Sequence, residues 1–128
     1  MSEEIKFLTR KWIKPEDLNS NGSLFGGSLL KWIDEEAAIF TIALLNSPYV
    51  VTKAMSAIDF VSSARSGDII EMGMKVIKMG RTSVTLRCEV RNMMTHHTIL
   101  VIEEITFVNL DSSGLPAPHG VSREGVSA

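Results

Sequence analysis

Residues 26–46 read GGSLLKWIDEEAAIFTIALLN, and this stretch decides the fold. Leu29, Ile33, Ala37, Phe40 and Leu44 recur at helical spacing along one side. Trp32, Ile39 and Ala43 add a second apolar stripe beside the first, leaving Ser28, Lys31, Glu35 and Glu36 as the residues suited to water. A helix that is apolar around most of its girth must be enclosed by other elements. Pro48, in Asn46-Ser47-Pro48, blocks its continuation.

Everything after that helix reads as strand. Val50 to Ser62 is β-rich, and Ser66-Gly67-Asp68 then turns the chain. Ile70, Met72, Met74 and Val76 alternate with Glu71, Gly73, Lys75 and Ile77. Met79-Gly80-Arg81-Thr82 makes a hairpin connection. Val84, Leu86, Cys88 and Val90 then alternate with polar residues, the pattern of a half-buried strand. Thr95-His96-His97 turns the chain again, and Thr98 to Leu110 forms the last strand. A short first strand lies near Ile5 to Ile13. The order is one strand, a long helix, then four antiparallel strands, which predicts an α+β domain whose antiparallel sheet curls around one central helix. One sheet layer on one helix leaves apolar area and strand edges uncovered, so self-association is expected.

The 128 residues suit a single domain, here residues 1–110, followed by a Ser-, Gly- and Pro-rich tail over 111–128 expected to be extended and mobile toward Ala128. With 13 basic against 15 acidic residues, the net charge of -2 argues against a nucleic-acid partner that depends on a positive field. Cys88 is the only cysteine, so neither an intrachain disulfide nor a cysteine zinc site can be built. The start, Met1-Ser2-Glu3-Glu4, does not resemble a secretory leader, and no apolar run is long enough for a membrane span. The expectation is a cytoplasmic protein with no membrane partner and no bound metal.

The stretch with chemical content is Asn19-Ser20-Asn21-Gly22-Ser23-Leu24-Phe25-Gly26-Gly27, leading into the helix that carries Asp34. Free N–H groups and the positive dipole end of a helix gather at such an entrance, and a carbonyl oxygen bound there is stabilised as it becomes an oxyanion. The plainer reading is a Gly-rich loop that merely lets the chain turn into a helix. Asp34 falls at the border of the apolar stripe, where partial desolvation makes a carboxylate a better base. The plainer reading of Asp34 is an exposed pair with Lys31. Asn21 offers an amide to a water or a carbonyl, although Asn-Gly is first of all a turn signal. Gly80, Arg81, Thr82 and Ser83 offer a guanidinium, two hydroxyls and a turn backbone that suit a phosphate, although an exposed hairpin Arg is first of all a solvated charge. His96, His97 and His119 stand too far along the chain to complete a triad with these residues.

The run Asn21-Gly22-Ser23-Leu24-Phe25-Gly26-Gly27, with Asp34 seven residues after the second glycine, resembles the acyl-CoA thioesterases of the YciA and brain acyl-CoA hydrolase group. Further matches follow in order at Val50-Val51-Thr52, Phe60, Gly67-Asp68, Gly80-Arg81-Thr82-Ser83 and the ending Asp111-Ser112-Ser113-Gly114-Leu115-Pro116-Ala117-Pro118. The resemblance implies a hotdog fold and hydrolysis of acyl-CoA, with sites between the two subunits of a dimer, usually in a trimer of dimers or hexamer. It implies Asp34 as general base or nucleophile and Asn21 and Gly27 at the carbonyl. Gly80, Arg81, Thr82 and Ser83 are implied to hold the CoA phosphates. No cofactor is implied, since CoA is part of substrate and product. Two departures bear on phosphate binding: Val61-Ser62-Ser63-Ala64-Arg65, where the family often has a basic residue and a proline, and Leu115, where Lys or Arg is frequent. A hotdog dehydratase would want a histidine near the helix entrance, and none is there. The remaining alternative is a non-catalytic acyl-CoA-binding or sensing module.

Overall fold

The structure is a computed structural model and describes residues 5–122. The chain forms strand β1 (Lys6–Trp12), a short 3-10 turn (Pro15–Asp17), helix α1 (Gly26–Leu45), and strands β2 (Val50–Met55), β3 (Ile58–Phe60), β4 (Ile69–Met79), β5 (Ser83–Asn92) and β6 (Thr98–Asn109). All pairings are antiparallel. The six-stranded sheet runs β1-β4-β5-β6-β2, with β3 also on β6. It curls around α1, which is the hotdog arrangement anticipated above.

The core is made by Ile70 and Met72 of β4, Val84, Leu86, Cys88 and Val90 of β5, and Leu100, Ile102, Ile105 and Phe107 of β6. These meet Leu29, Ile33, Ala37 and Leu45 of α1. Thr41 lies in the same buried line, its hydroxyl satisfied by donating to the Ala37 carbonyl at 2.9 Å. Burial keeps the Cys88 thiol protonated, pushed up to about 12, so it packs as a small apolar residue.

Two expectations are corrected. The buried line of α1 is Leu29-Ile33-Ala37-Thr41-Leu45, rotated from the predicted Phe40 and Leu44, which are only partly buried. The helix is also not enclosed: Ile39 is 52% and Ile42 38% exposed. One sheet covers one side of a cylinder, and no element among the described residues covers the other. Phe25, Val51, Phe60 and Val61 are exposed as well. Second, the predicted strand from Val50 to Ser62 breaks into β2 and β3. The cause is Ser56, whose hydroxyl takes the Glu104 N–H at 3.0 Å while its own N–H donates to the Glu104 carbonyl at 2.8 Å. A side chain thus occupies a position in the ladder that a backbone carbonyl would fill.

The first part of the tail lies along the sheet. Ala117 donates to Asn109 O at 2.9 Å and accepts from Asn109 Nδ2 at 3.0 Å. The expected mobility toward Ala128 concerns residues outside those described. Among the described residues, no helix is long and apolar enough to cross a membrane.

Candidate active site

The loop before α1 is built from backbone contacts. Asn19 Oδ1 accepts from the N–H groups of Asn21 at 2.9 Å and Ser23 at 3.2 Å. Gly22 adopts φ 78, the left-handed region the tight turn requires. Leu24 donates to Ala64 O at 2.8 Å and Phe25 to Asp17 O at 2.9 Å. These bonds fix the chain's entry into the helix.

The helix entrance is not capped by any side chain. Ser28 and Leu29 both donate to Phe25 O, at 3.1 and 3.2 Å. Among the described residues, no acceptor takes the N–H of Gly26 or Gly27. Aromatic rings crowd both glycines. A Cβ at Gly26 would stand 3.3 Å from the Phe60 ring, and one at Gly27 would stand 2.9 Å from the Phe25 ring. A side chain at either position would have to push an aromatic ring aside, and the two amides stand at the positive end of a 20-residue helix.

Asp34 is half-buried on α1. Its Oδ1 accepts from the Thr52 hydroxyl of β2 at 2.6 Å, a length typical of a bond to an ionised oxygen. The alternative pairing with Lys31 is not formed. Thr52 was missed as a site residue, because nothing in local spacing says that β2 runs beside the third turn of α1. Asn21 is exposed, and its carboxamide makes no hydrogen bond among the described residues.

Gly27 and Asp34 share a side of α1, but seven residues of helix separate them by about 10 Å along the axis. The two groups of one chain cannot both touch one carbonyl group. Gly80, Arg81, Thr82 and Ser83 form the β4–β5 connection, closed by Gly80 N–H to Ser83 O at 2.9 Å. A Cβ at Gly80 would run into Ser83 Oγ, so a side chain there would force the serine hydroxyl to turn away. Beside the connection, Val51, Lys53, Thr82, Val108, Leu110, Gly114 and Pro116 line an open groove of about 400 Å³.

The family model of the thioesterase superfamily matches residues 21–95. An uncharacterized acyl-CoA thioester hydrolase, YkhA of Bacillus subtilis, is 31% identical over 91% of this chain and 69% of its own length. The acyl-CoA thioester hydrolase YciA of Salmonella typhimurium is 29% identical over 66% of this chain and 63% of its own length. The chain thus spans between about half and 70% of the length of the curated relatives it matches. Among solved structures, an acyl-CoA hydrolase of Staphylococcus aureus in complex with butyryl coenzyme A superposes with a TM-score of 0.78 at 30% identity, covering 86% of this chain and 66% of that one. A hexameric thioesterase of Yersinia pestis superposes with a TM-score of 0.82 at 26% identity, covering 91% of this chain and 97% of that one. With a family model that takes in more than half of its residues, the chain belongs to the thioesterase superfamily.

Proposed function

We propose that this protein hydrolyses acyl-CoA thioesters to the free acid and CoA, at sites shared between two copies of the chain. The observation that carries the proposal is the pair of unaccepted amides at Gly26 and Gly27, on the same helix as a half-buried Asp34 yet about 10 Å from it. One chain offers an oxyanion site and a carboxylate that cannot serve the same atom. Two chains related by a two-fold axis, with their helices antiparallel, would bring each carboxylate to the other's helix entrance. The exposed stripe of Ile39 and Ile42 supplies apolar area for that contact. The Yersinia pestis thioesterase is hexameric, which agrees with a trimer of such dimers.

In the reaction, the thioester oxygen accepts from Gly27 N–H, with Asn21 beside it. Asp34 of the second copy takes a proton from water as the water oxygen bonds to the carbonyl carbon. The C–S bond then breaks, and CoA leaves as a thiolate that needs little protonation. The competing course is direct attack by Asp34 to form an acyl-aspartyl anhydride, which water then opens. Thr52 holds the Asp34 carboxylate in place. Asn19 joins Asn21 as a candidate: solved variants of the Staphylococcus aureus hydrolase replace an Asp, a Thr and an Asn by alanine, the Asn fifteen residues before the Asp. Asn19 precedes Asp34 by the same fifteen residues. Gly80, Arg81, Thr82 and Ser83 hold the CoA phosphates. No cofactor or metal is needed, and the cytoplasm, where acyl-CoA is made and used, is the expected setting.

Thiol release from acyl-CoAs of short to long chain, by wild type and Asp34→Asn, tests the reading. General-base loss is expected to reduce kcat roughly a thousandfold while the variant stays folded. Near-normal turnover by Asp34→Asn would refute the role of Asp34. Absence of turnover in wild type, with CoA still bound, would favour the sensing module.

A further inference from the structure

The β4–β5 connection is held by its carbonyls. Arg81 O accepts from His119 N–H at 3.2 Å, and Thr82 O accepts from Asn109 N–H at 2.7 Å. Ser83 O accepts from Gly80 N–H at 2.9 Å and lies 3.0 Å from His119 Nε2. His119 Nδ1 accepts from Val121 N–H at 3.0 Å, so the ring proton resides on Nε2 and is donated to Ser83 O. One residue therefore grips the connection on both sides of Thr82, through its backbone and through its ring. The N–H groups of Arg81 and Thr82 have no acceptor among the described residues. Binding the carbonyls on the tail side leaves those amides for a ligand, as in an anion-binding nest.

The tail is built to deliver this grip. In Pro116-Ala117-Pro118-His119, donors alternate with prolines. Ala117 and His119 donate to Asn109 and Arg81, while the two positions lacking an N–H are the ones between them. Val121, just beyond, packs against the core and anchors the far end of the strap.

We propose that His119 is a positioning residue: it clamps the connection Gly80–Ser83 so that the Arg81 and Thr82 amides present to the phosphates of the CoA moiety. This rests on the acyl-CoA reading above. The clamp acts on the nucleotide end of the substrate and has no part in bond-breaking. Its loss should therefore appear in KM and only for substrates that carry phosphates.

The test compares His119→Ala and His119→Gln with wild type on a butyryl-CoA thioester and on the butyryl thioester of N-acetylcysteamine, which has no nucleotide. For His119→Ala the KM for butyryl-CoA should rise roughly fivefold, the scale of one hydrogen bond's net contribution. Its kcat should stay within about twofold, and kcat/KM on the truncated thioester should be unchanged. His119→Gln, which keeps a donor toward Ser83 O, should recover most of the KM. An equal loss on both substrates, or none on butyryl-CoA, would overturn the proposal. Wild type inactive on both thioesters would refute the catalytic reading instead. Calorimetry with free CoA then decides the clamp: a severalfold weaker Kd in His119→Ala supports it, and an unchanged Kd overturns it.

Discussion

Two carboxylates mark two regions of this molecule, and their surroundings are opposite. Glu71 of β4, on the sheet face away from α1, is 2% exposed and lies between two guanidinium groups. Arg91 Nε donates to its Oε2 at 2.7 Å and Arg10 Nε to its Oε1 at 3.3 Å. Arg91 also lies 3.8 Å over the Phe7 ring. Burial pushes the Glu71 carboxyl up, but the bonds and charges of Arg91, then those of Arg10, outweigh it and hold it below the ordinary value of 4.5. Among the described residues Asp34 has no cation beside it. Its partner there is one neutral hydroxyl, and part of the group still faces solvent. A carboxylate neutralised on both oxygens is tied into structure, whereas one held by a single hydroxyl keeps an oxygen free to act. Of the two, Asp34 is the one that the proposed reaction can use.

The comparison breaks if the effects of substitution do not cross. Asp34→Asn carries the largest expected effect, the thousandfold loss of turnover, with a melting temperature close to wild type. Arg91→Met should do the reverse. Removing one partner from a buried ion pair costs about 3 kcal/mol, and Arg10, which is more exposed, replaces little of it. Urea unfolding followed by circular dichroism checks the stability, and thiol release at saturating substrate checks activity in the folded fraction. An Arg91→Met variant as stable as wild type would show that the buried pair does not stabilise the fold.

The two carboxylates also differ in how far they could be read from sequence. The helix period sets Asp34 at the edge of an apolar stripe and the glycine pair sets the helix start, but the choice between a reactive carboxylate and an exposed pair with Lys31 rests on the family resemblance. The burial of Glu71 was not legible. Strand alternation puts it on the far face of the sheet, but burial there depends on Arg10 and Phe7, more than sixty residues away in β1. Thr52 lies only 18 residues from Asp34, but its bond joins strand to helix, and that pairing is set by tertiary packing that local spacing does not encode. The Gly80–Ser83 connection was legible as a hairpin from its residues, but its clamp was not. His119 lies in a tail whose proline spacing suggests only an extended chain until Asn109 and Arg81 are seen opposite it.

Thr52→Val sharpens the comparison from the side of Asp34. The exchange keeps the shape of the side chain and removes its hydroxyl. A bond to an ionised acceptor is worth about 1.5–3 kcal/mol, so kcat should fall at least roughly tenfold if the hydroxyl fixes the reacting carboxylate. Stability should change far less, since Asp34 can turn to water. A Thr52→Val variant with full kcat would mean that Asp34 needs no orienting partner.

The smallest effect comes from pH and concerns Glu71. In the unfolded chain this carboxyl titrates at its ordinary 4.5, and in the folded chain below it. Folding therefore favours the ionised form. The stability it contributes is complete above 4.5 and is lost as pH falls through the lower folded value. Arg91→Met removes the strongest opposing influence and leaves burial, which acts upward, so on acidification the variant should lose less of this contribution than wild type. The gap between the two urea midpoints should then be widest near pH 6. It should narrow as pH falls below 4.5 toward the lower folded value, where wild type loses the same interaction. A gap of constant size would assign the effect of Arg91 to its packing on Phe7, because stacking of an always-charged guanidinium on a ring does not titrate in this range.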